Sequence, residues 1–277
     1  MRVLSTVSFA ARHDTLGATA RDRETPPMPR RLALLPPCLA ALVLISACAG
    51  TPGAADFARW DATLRAEGKL RADRAPIDAP FGRRDIVENF AKIGFGSEFE
   101  IVGGRYVPLE HDAEAPLTRW EGPVDYALVG DFREADAKTV ARFAGRLGRA
   151  TGVRIRPAGE GDANLMIFVL DAESRAALGR RFAASPDYAP LRDLYDAWAG
   201  DPAWPCAAEF YFTPPDRPGA YAIYFAVVYI RAELSGISRV SCFEEEIAQT
   251  MGLARDDPTL RPSIFNDDEE FALMTDH

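Results

Sequence analysis

The stretch that decides the fold reads Cys242-Phe243-Glu244-Glu245-Glu246-Ile247-Ala248-Gln249-Thr250-Met251-Gly252-Leu253. Its apolar residues Phe243, Ile247 and Met251 recur every four positions, which predicts one buried face of a helix. Gly252 follows directly and suits the left-handed conformation in which many helices end. We therefore expect a helix that packs its apolar face on the core of the domain and stops at this glycine.

The same stretch has the spacing of a zinc-protease helix, HExxHxxGL. In that motif two histidines, four residues apart on one helix face, bind the metal, and the glutamate after the first histidine activates water. Here Glu245 and Gln249 stand at the histidine positions, Glu246 keeps the position of the general base, and Gly252 keeps that of the glycine. The layout of the site is retained, whereas its preferred metal ligands are not.

The available donors predict the kind of metal that such a helix could hold. A catalytic zinc site needs three protein ligands, and the chain beyond residue 47 has only two histidines. We therefore expect neither zinc nor another cofactor. The candidate ligands Glu245, Gln249, Asp256 and Asp257 form an oxygen-rich set, which suits calcium or magnesium better. In metzincins the third ligand comes six residues after the second, which is Arg255 here, so Asp256 is one residue out of register.

Residues 28–47 have the pattern of a bacterial export signal. Two arginines precede an apolar run of about 13 residues, which is too short for a bilayer that needs about 20. The run ends in Ile45-Ser46-Ala47-Cys48. We expect Cys48 to carry a lipid that anchors the protein in the membrane, facing the periplasm. Ala49 favours the outer membrane by analogy with known sorting rules, and an ordinary signal peptide with an incidental cysteine is the alternative.

The segments around this signal are expected to have separate roles. Residues 1–27 lack signal character, so we interpret them as a gene-model extension, with translation starting at Met28. Residues 48–80 have a Gly-Pro-rich start and a proline-punctuated end, which predicts a tether with a short amphipathic helix at Phe57, Trp60 and Leu64. Residues 81–277, about 200 in number, suit one globular domain with a full core.

The charge of the chain limits its partners. Its formal net charge is −9, and residues 1–47 contain six arginines and three acidic residues, so their removal would change it to −12. Nucleic acid and anionic lipid both require basic patches. We therefore expect no nucleic-acid partner, and attachment to the membrane through the lipid on Cys48 alone.

Two cysteines follow the signal, Cys206 and Cys242. In an oxidising compartment such a pair most simply forms a disulfide. The bridge would tie residues 202–206 to the start of the motif helix, and closing this loop contributes on the order of 3–4 kcal/mol in the chain-entropy model. Metal binding by the pair is the alternative, although no histidine or third cysteine lies near.

Hydrophobic periodicity predicts both helices and strands. Helices are predicted at residues 84–93, 135–147, 172–182 and 191–198 and from Ser241, and strands at 99–102, 106–109, 124–129, 153–155, 164–170, 209–212 and 221–230. The pattern indicates an α+β fold, a mixed β-sheet with packed helices. Its element order is also that of the upper, N-terminal domain of zincin metallopeptidases. We expect His111 in a solvated loop and residues 271–274 in a helix-like segment.

Two further clusters have the residue types of a site. Arg119-Trp120 could line a cleft, and a buried tryptophan with the arginine stacked on it is the alternative. Residues 266–270, Asn-Asp-Asp-Glu-Glu, lack the alternating ligand spacing of an EF-hand calcium loop. A helix N-cap by Asn266 or Asp267, with Glu270 in the first turn, is the simpler explanation.

Four stretches together resemble one bacterial family. They are Thr118-Arg119-Trp120-Glu121-Gly122-Pro123-Val124, Ala163-Asn164-Leu165, Cys242-Phe243-Glu244-Glu245-Glu246-Ile247-Ala248-Gln249 and Ser263-Ile264-Phe265-Asn266-Asp267-Asp268. From about residue 81 to 277 the chain resembles the putative lipoprotein family called domain of unknown function 2927. The resemblance implies a zincin-like fold and export, and no established activity. Members of the family continue past the position of His277, so we expect the C-terminus to be truncated.

Three hypotheses about function remain open. In the preferred one, an envelope-anchored, non-enzymatic lipoprotein uses a degenerate protease cleft to bind a peptide or another envelope component along a sheet edge. In the second, a noncanonical metallohydrolase uses Glu246 as base, with Glu245 and Gln249 as ligands or polarising groups. In the third, the protein is purely structural. Its glutamates then only stabilise the first turn of the helix, and Gln249 is an ordinary exposed residue.

Overall fold

The computed structural model describes residues 53–101, 106–159, 163–213, 221–266 and 268–277. The expectations for residues 1–52, including the signal and Cys48, lie outside these ranges. The described helices are α1 (Ala54–Ala66), α2 (Arg83–Gly94), α3 (Glu134–Thr151), α4 (Ala172–Ala183), α5 (Ala189–Gly200) and α6 (Gly236–Gln249). The strands are β1 (Gly96–Ile101), β2 (Tyr106–Glu114), β3 (Thr118–Trp120), β4 (Val124–Gly130), β5 (Ile155–Pro157), β6 (Leu165–Leu170), β7 (Cys206–Thr213) and β8 (Tyr221–Arg231). None of these helices is long and apolar enough to cross a membrane.

Strand β8 is the centre of the main sheet. It pairs in parallel with β6, which pairs with β4, which in turn pairs with β5. The first residues of β8 also pair in parallel with the short β3, and most of its length pairs antiparallel with β7. The fold is therefore α+β with a mostly parallel mixed sheet, and the predicted fold class is confirmed.

Helices cover both faces of this sheet, so β8 is apolar on both sides. Ala226, Val228 and Ile230 lie in the core that includes α3 and α6, whereas Val227 and Tyr229 lie in the core that includes α4 and α5. Strands that are buried on both faces read as continuous apolar runs. That is the physical reason why a run of aromatic and branched residues marks this central strand.

Residues 53–80 pack against the domain, which corrects the prediction that they form a tether. Helix α1 buries Phe57 and Leu64. Further on, the N–H of Ala272 donates to the carbonyl of Arg71 (2.9 Å), so the segment pairs with the C-terminal residues. Proline and glycine show where a helix breaks, but they carry no information on whether the broken segment packs.

Residues 271–274 are not helical, contrary to the prediction. They lie beside residues 71–74, and the N–H of Asp276 donates to the carbonyl of Arg74 (2.7 Å). A single helical turn fixes several dihedral angles for one hydrogen bond and is therefore unfavourable on its own. In the folded domain, pairing with residues 71–74 satisfies backbone groups of this segment instead.

Strands β1 and β2 form a separate antiparallel hairpin where the sequence predicts two strands. The pairing continues to Gly96 opposite Glu114, well beyond the apolar residues that mark the strands in the sequence. His111 therefore lies inside β2, and the prediction of a loop at this residue is wrong. Backbone pairing extends the strand here irrespective of the side-chain pattern.

Candidate functional site

The motif helix begins earlier than the sequence predicts. Helix α6 starts at Gly236 instead of Ser241, so Glu244 to Glu246 lie in its middle, and the interpretation that they stabilise its first turn is wrong. The early turns are supported by a buried ion pair in which Arg239 Nε donates to Asp136 Oδ1 of α3 (2.8 Å). Hydrophobic periodicity cannot predict a buried charged residue whose partner is distant in sequence.

Helix α6 is open to solvent along one narrow stripe. Between Ser241 and Gln249, only Glu245 and Gln249 are partly exposed, and all other side chains are buried. These two residues are four apart and share a helix face; we call them the α6 stripe. Glu246, next to them, is only 6% exposed. The two histidine positions of the protease motif thus meet solvent, and the position of the general base lies in the interior beside them.

Asp256 lies next to the α6 stripe. Its Oδ1 is 3.4 Å from Gln249 Nε2. The guanidinium of Arg255 instead lies 3.5 Å from Asp257, and its side chain covers Gly96, where an added Cβ would be 2.3 Å from Arg255 Cδ. The metzincin register, which puts Arg255 at the third-ligand position, therefore does not describe this chain. Asp256, one position later, lies beside Gln249 instead.

Glu244 serves to hold the termini of the domain. It is 3% exposed and accepts hydrogen bonds from Arg74 Nη1 (2.7 Å) and from the N–H of Met274 (3.0 Å). The other guanidinium nitrogen of Arg74 contacts the same carboxylate. Sequence reasoning missed this role because Arg74 is 170 residues away.

The end of α6 packs closely against β3. Gly252 has a φ of 104°, the region that glycine tolerates and that the sequence led us to expect at the helix end. A Cβ at this position would lie 2.3 Å from the carbonyl oxygen of Thr118, so only glycine allows this close approach. Trp120 Nε1 also donates to the carbonyl of Thr250 (2.8 Å). Together these contacts set where the helix stops relative to the sheet.

Arg119 and Trp120 line a cavity of about 620 Å³ beside this contact. Trp120 is buried, whereas Arg119 is exposed and lies 3.6 Å from Glu121, so the arginine does not stack on the tryptophan. The volume is within the range of small-molecule sites. The lining comes from β3, α2 and the residues around the ends of α3 and α6, and it includes no residue of the α6 stripe.

The disulfide predicted between Cys206 and Cys242 is confirmed. Cys206 is the first residue of β7, and Cys242 lies one turn before Glu246 on α6. Helix positions 242, 246 and 249 share one side. The bridge therefore holds the start of β7 on the same side of α6 as the stripe.

Strand β7 and helix α6 run in the same direction from this disulfide. At the far end of β7, Thr213 pairs with Ala222 at the start of β8. At the far end of α6, Thr250 binds Trp120, which pairs with Ile223, also at the start of β8. Both elements therefore run antiparallel to β8.

Strand β7 forms an edge of the main sheet, because in the described part of the chain it pairs with β8 alone. The N–H of Arg231 donates to the carbonyl of Pro205 (3.1 Å). Backbone groups in an antiparallel pair face the partner strand at every second residue. Those of Ala207 therefore point to β8, and those of Ala208 and Phe210 point to the outer edge.

The donors near the α6 stripe are oxygen atoms. Among the residues that the structure describes, no group of three His, Cys, Asp or Glu side chains could hold a metal. The carboxylate of Asp257, just beyond the stripe, interacts with neighbouring residues instead. Burial raises its pKa, but hydrogen bonds from Thr259 and the charges of Lys92 and Arg255 outweigh this effect, and the pKa of Asp257 is lowered.

The acidic run after Ser263 caps turns. Asn266 Oδ1 is 3.4 Å from the N–H of Asp268, and Asp268 Oδ1 accepts from the N–H of Glu270 (2.7 Å). Glu270 itself accepts from Arg261 Nε (2.7 Å). No helix follows in the described residues 268–277, so the predicted N-cap is wrong, and Asp267 lies outside the described residues.

Comparison with known proteins assigns the family. No curated protein and no solved structure matches the chain. A family model described as a protein of unknown function (DUF2927) matches residues 83–277. The matched residues include β7, the α6 stripe, Gly252 and Asp256. On this match over most of its length, the chain belongs to the DUF2927 family.

Proposed function

We propose that the protein is an exported lipoprotein, anchored through Cys48, whose domain binds an extended peptide between β7 and the α6 stripe without hydrolysing it. The observation that carries the proposal is the outer edge of β7 alongside α6. A sheet edge presents backbone N–H and C=O groups that can accept another strand. Zincin peptidases hold their substrates along such an edge, and a likeness to their upper domain would place the peptide in the same position.

The dimensions of the two elements fit a short peptide. A strand rises about 3.3 Å per residue, so Cys206 to Phe210 spans about 13 Å. A helix rises about 1.5 Å per residue, so Cys242 to Gln249 spans about 10 Å. The α6 stripe therefore accompanies the first half of β7. Ala208 and Phe210 face the same core as α6, so peptide side chains on that side would extend toward the stripe.

The chemistry of the stripe supports binding rather than zinc catalysis. Zinc sites in proteins use histidine, cysteine and carboxylate ligands, three of them in catalytic sites. Glu245 and Gln249 offer one carboxylate and one amide. A carboxamide both donates and accepts hydrogen bonds, which suits recognition of the polar groups of a peptide.

Export is supported by the disulfide, because such bonds persist in oxidising compartments such as the periplasm. The proposed anchor is the lipid on Cys48, with the outer membrane as destination. Labelling cells with a fatty-acid analogue tests this anchor. We expect label in the wild-type protein and none in Cys48→Ala, and equal labelling of both would contradict the proposal.

A proline at the edge of β7 tests peptide binding. Ala208→Pro removes the outward N–H and leaves the hydrogen bonds to β8 intact, and Ala208→Val is the matched control that keeps the N–H. Peptides selected from a random heptapeptide library on the wild-type protein would be titrated by fluorescence anisotropy. We expect at least tenfold weaker binding by Ala208→Pro, near wild-type binding by Ala208→Val, and no peptide cleavage.

Circular dichroism would show that both variants remain folded. Equal affinity of Ala208→Pro and the wild-type protein would contradict pairing at this edge. If the folded wild-type protein selects no peptide at all, the purely structural role is favoured instead.

The metallohydrolase hypothesis is kept as a second candidate because Glu246 lies directly beside the partly exposed stripe. Elemental analysis of protein purified from the periplasm without chelators distinguishes the two. Under the binding proposal we expect no stoichiometric metal in the wild-type, Glu245→Ala or Glu246→Gln protein. One metal ion per chain, lost in Glu245→Ala, would support the hydrolase and contradict the proposal.

A further inference from the structure

The aromatic core between the sheet and α5 contains three buried polar atoms that lack a hydrogen-bond partner among the described residues. They are Trp198 Nε1, Tyr229 Oη and Arg231 Nη1. All three side chains are fully buried. Buried polar groups in folded proteins are almost always paired with protein atoms or with a bound water or ion. Three such atoms in one cluster therefore require an explanation.

Arg231 is otherwise well bonded. Its Nε donates to the carbonyl of Trp204 (2.8 Å), and its Nη2 donates to the carbonyls of Trp198 (2.8 Å) and Asp201 (2.7 Å). These carbonyls belong to the end of α5 and the segment that leads into β7. Arg231 thus holds that segment with two of its nitrogens, and the third nitrogen is directed elsewhere in the same core.

The side chains of Tyr229 and Arg231 both contact the ring of Trp198. The rings of Trp198 and Tyr229 stack with their centroids 5.4 Å apart, and Arg231 Cζ lies 5.0 Å from the centre of the Trp198 ring. Tyr229 and Arg231 are two residues apart on β8 and therefore point to the same face of the sheet. All three unpaired atoms therefore belong to side chains that pack around the ring of Trp198.

All three atoms can act as donors. An indole N–H and a guanidinium N–H can only donate, and a phenol can donate as well. Burial raises the pKa of Tyr229 well above its ordinary value, so that its hydroxyl keeps its proton. The missing partner must therefore be an acceptor.

The local charge also favours an acceptor. Arg175 in α4 is paired with Glu233 (2.8 Å), and this pair is neutral. The hydrogen bonds of Arg231 go to carbonyl oxygens, and the charges of Arg175, Glu233 and Asp201 also act on its guanidinium. A buried charge that is incompletely compensated is costly, and a further electron-rich group beside Nη1 would lower that cost.

We propose that this core binds one small hydrogen-bond acceptor, a chloride ion or a water molecule, between Trp198, Tyr229 and Arg231. The bound acceptor completes the coordination of Arg231 and so stabilises the segment that positions β7. This site is separate from the α6 stripe and does not depend on peptide binding.

Removing a single hydroxyl tests the site. Tyr229→Phe deletes only Oη. If the hydroxyl is bonded to an acceptor, the variant loses a hydrogen bond and its melting temperature falls; if the hydroxyl is unpaired, its removal leaves the temperature unchanged or raises it. The matched control is Tyr195→Phe, because the buried hydroxyl of Tyr195 donates to the carbonyl of Arg175.

We expect Tyr229→Phe and Tyr195→Phe to lower the melting temperature by similar amounts. A melting temperature of Tyr229→Phe equal to or above that of the wild type would overturn the proposal. Measurements in sodium chloride and in sodium gluconate at equal ionic strength distinguish the two occupants. Stabilisation by chloride that is reduced in Tyr229→Phe identifies the ion, and a destabilised variant without chloride dependence identifies water.

Discussion

Three consecutive glutamates on α6 lie in three different environments. Glu244 is buried and bonded to Arg74, Glu245 belongs to the partly exposed stripe, and Glu246 is buried beside it. Successive helix residues point about 100° apart, so neighbours of identical chemistry meet different surroundings. The motif spacing predicts that Glu245 and Gln249 share a face. The burial of Glu244 depends on a partner that no local pattern contains.

Gly252 tests the contact between α6 and β3. We expect Gly252→Ala to lower the free energy of unfolding by about 2–4 kcal/mol, because a positive φ and a backbone clash with Thr118 act together. The control Gly152→Ala also has a positive φ, of 76°, but its Cβ would meet nothing within 4 Å. Urea denaturation should therefore show a smaller loss, of about 1 kcal/mol, in the control. Equal losses of unfolding free energy in the two variants would mean that the contact with Thr118 adds nothing to the cost of the substitution.

The buried pair of Asp136 and Arg239 predicts acid sensitivity. Burial raises the pKa of Asp136, but hydrogen bonds from Arg239 and the N–H of Arg133 outweigh this effect, and the pKa is lowered. A carboxyl whose pKa is lower in the folded state stabilises fully above its unfolded pKa of about 3.9. This stabilisation is lost as the pH falls through the lower, folded value.

We expect Asp136→Asn to lose about 3–5 kcal/mol at pH 7, because Arg239 is left buried without its partner. Its stability should also fall less steeply than that of the wild type below about pH 4. Urea denaturation at several pH values measures both effects. If the free energy of unfolding of the variant fell as steeply with pH as that of the wild type, another carboxyl group would dominate the acid sensitivity.

At the level of whole elements, α6 and β7 act as a pair. Each runs antiparallel to β8, and the disulfide joins them at their common start. Periodicity predicts both elements and their types, because apolar residues at spacings of four and two reflect helix and strand geometry. It cannot predict that β7 forms an edge and lies beside the motif helix, since strand order is set by pairing between distant segments.

Removing the disulfide tests this pairing of elements. We expect the double variant Cys206→Ser/Cys242→Ser to lose about 3–4 kcal/mol in the chain-entropy model, for a bridge that spans 36 residues. It should also bind the selected peptides more weakly than expected from stability alone, because the start of β7 is released from α6. Peptide affinity that stays at the wild-type value under native conditions would show that the bridge only stabilises the fold.

At the scale of the whole molecule, residues 53–80 are part of the domain. They lie before the residues matched by the family model, which begin at 83. Arg71 and Arg261 both contact Asp78 and Glu270, so the N-terminal and C-terminal segments are cross-linked by charge. Hydrophobic pattern alone could not predict this arrangement, because prolines and charges are equally typical of a linker.

Substitution of Arg74 tests whether this segment supports the motif helix. Arg74→Met leaves the buried carboxylate of Glu244 without its cation, and we expect a loss of about 2–3 kcal/mol. Arg84→Met is the control, because Arg84 pairs with Glu88 at the exposed surface, where ion pairs contribute little. Thermal denaturation of both variants gives the melting temperatures to compare. Equal melting temperatures would mean that the segment lies on the domain without stabilising it.

The local pattern of this chain is sufficient to predict most of the helices and strands, the α+β class, the Cys206–Cys242 bridge and the glycine at the end of α6. These features depend on neighbours in sequence, or on there being only two cysteines to pair. The buried pairs Arg74–Glu244 and Asp136–Arg239 and the packing of residues 53–80 follow from contacts between residues 100 or more positions apart. The edge position of β7 follows from which strands pair on the two sides of β8. Such contacts exist only once the chain has folded, because their energies come from burial and partners that no stretch of sequence contains.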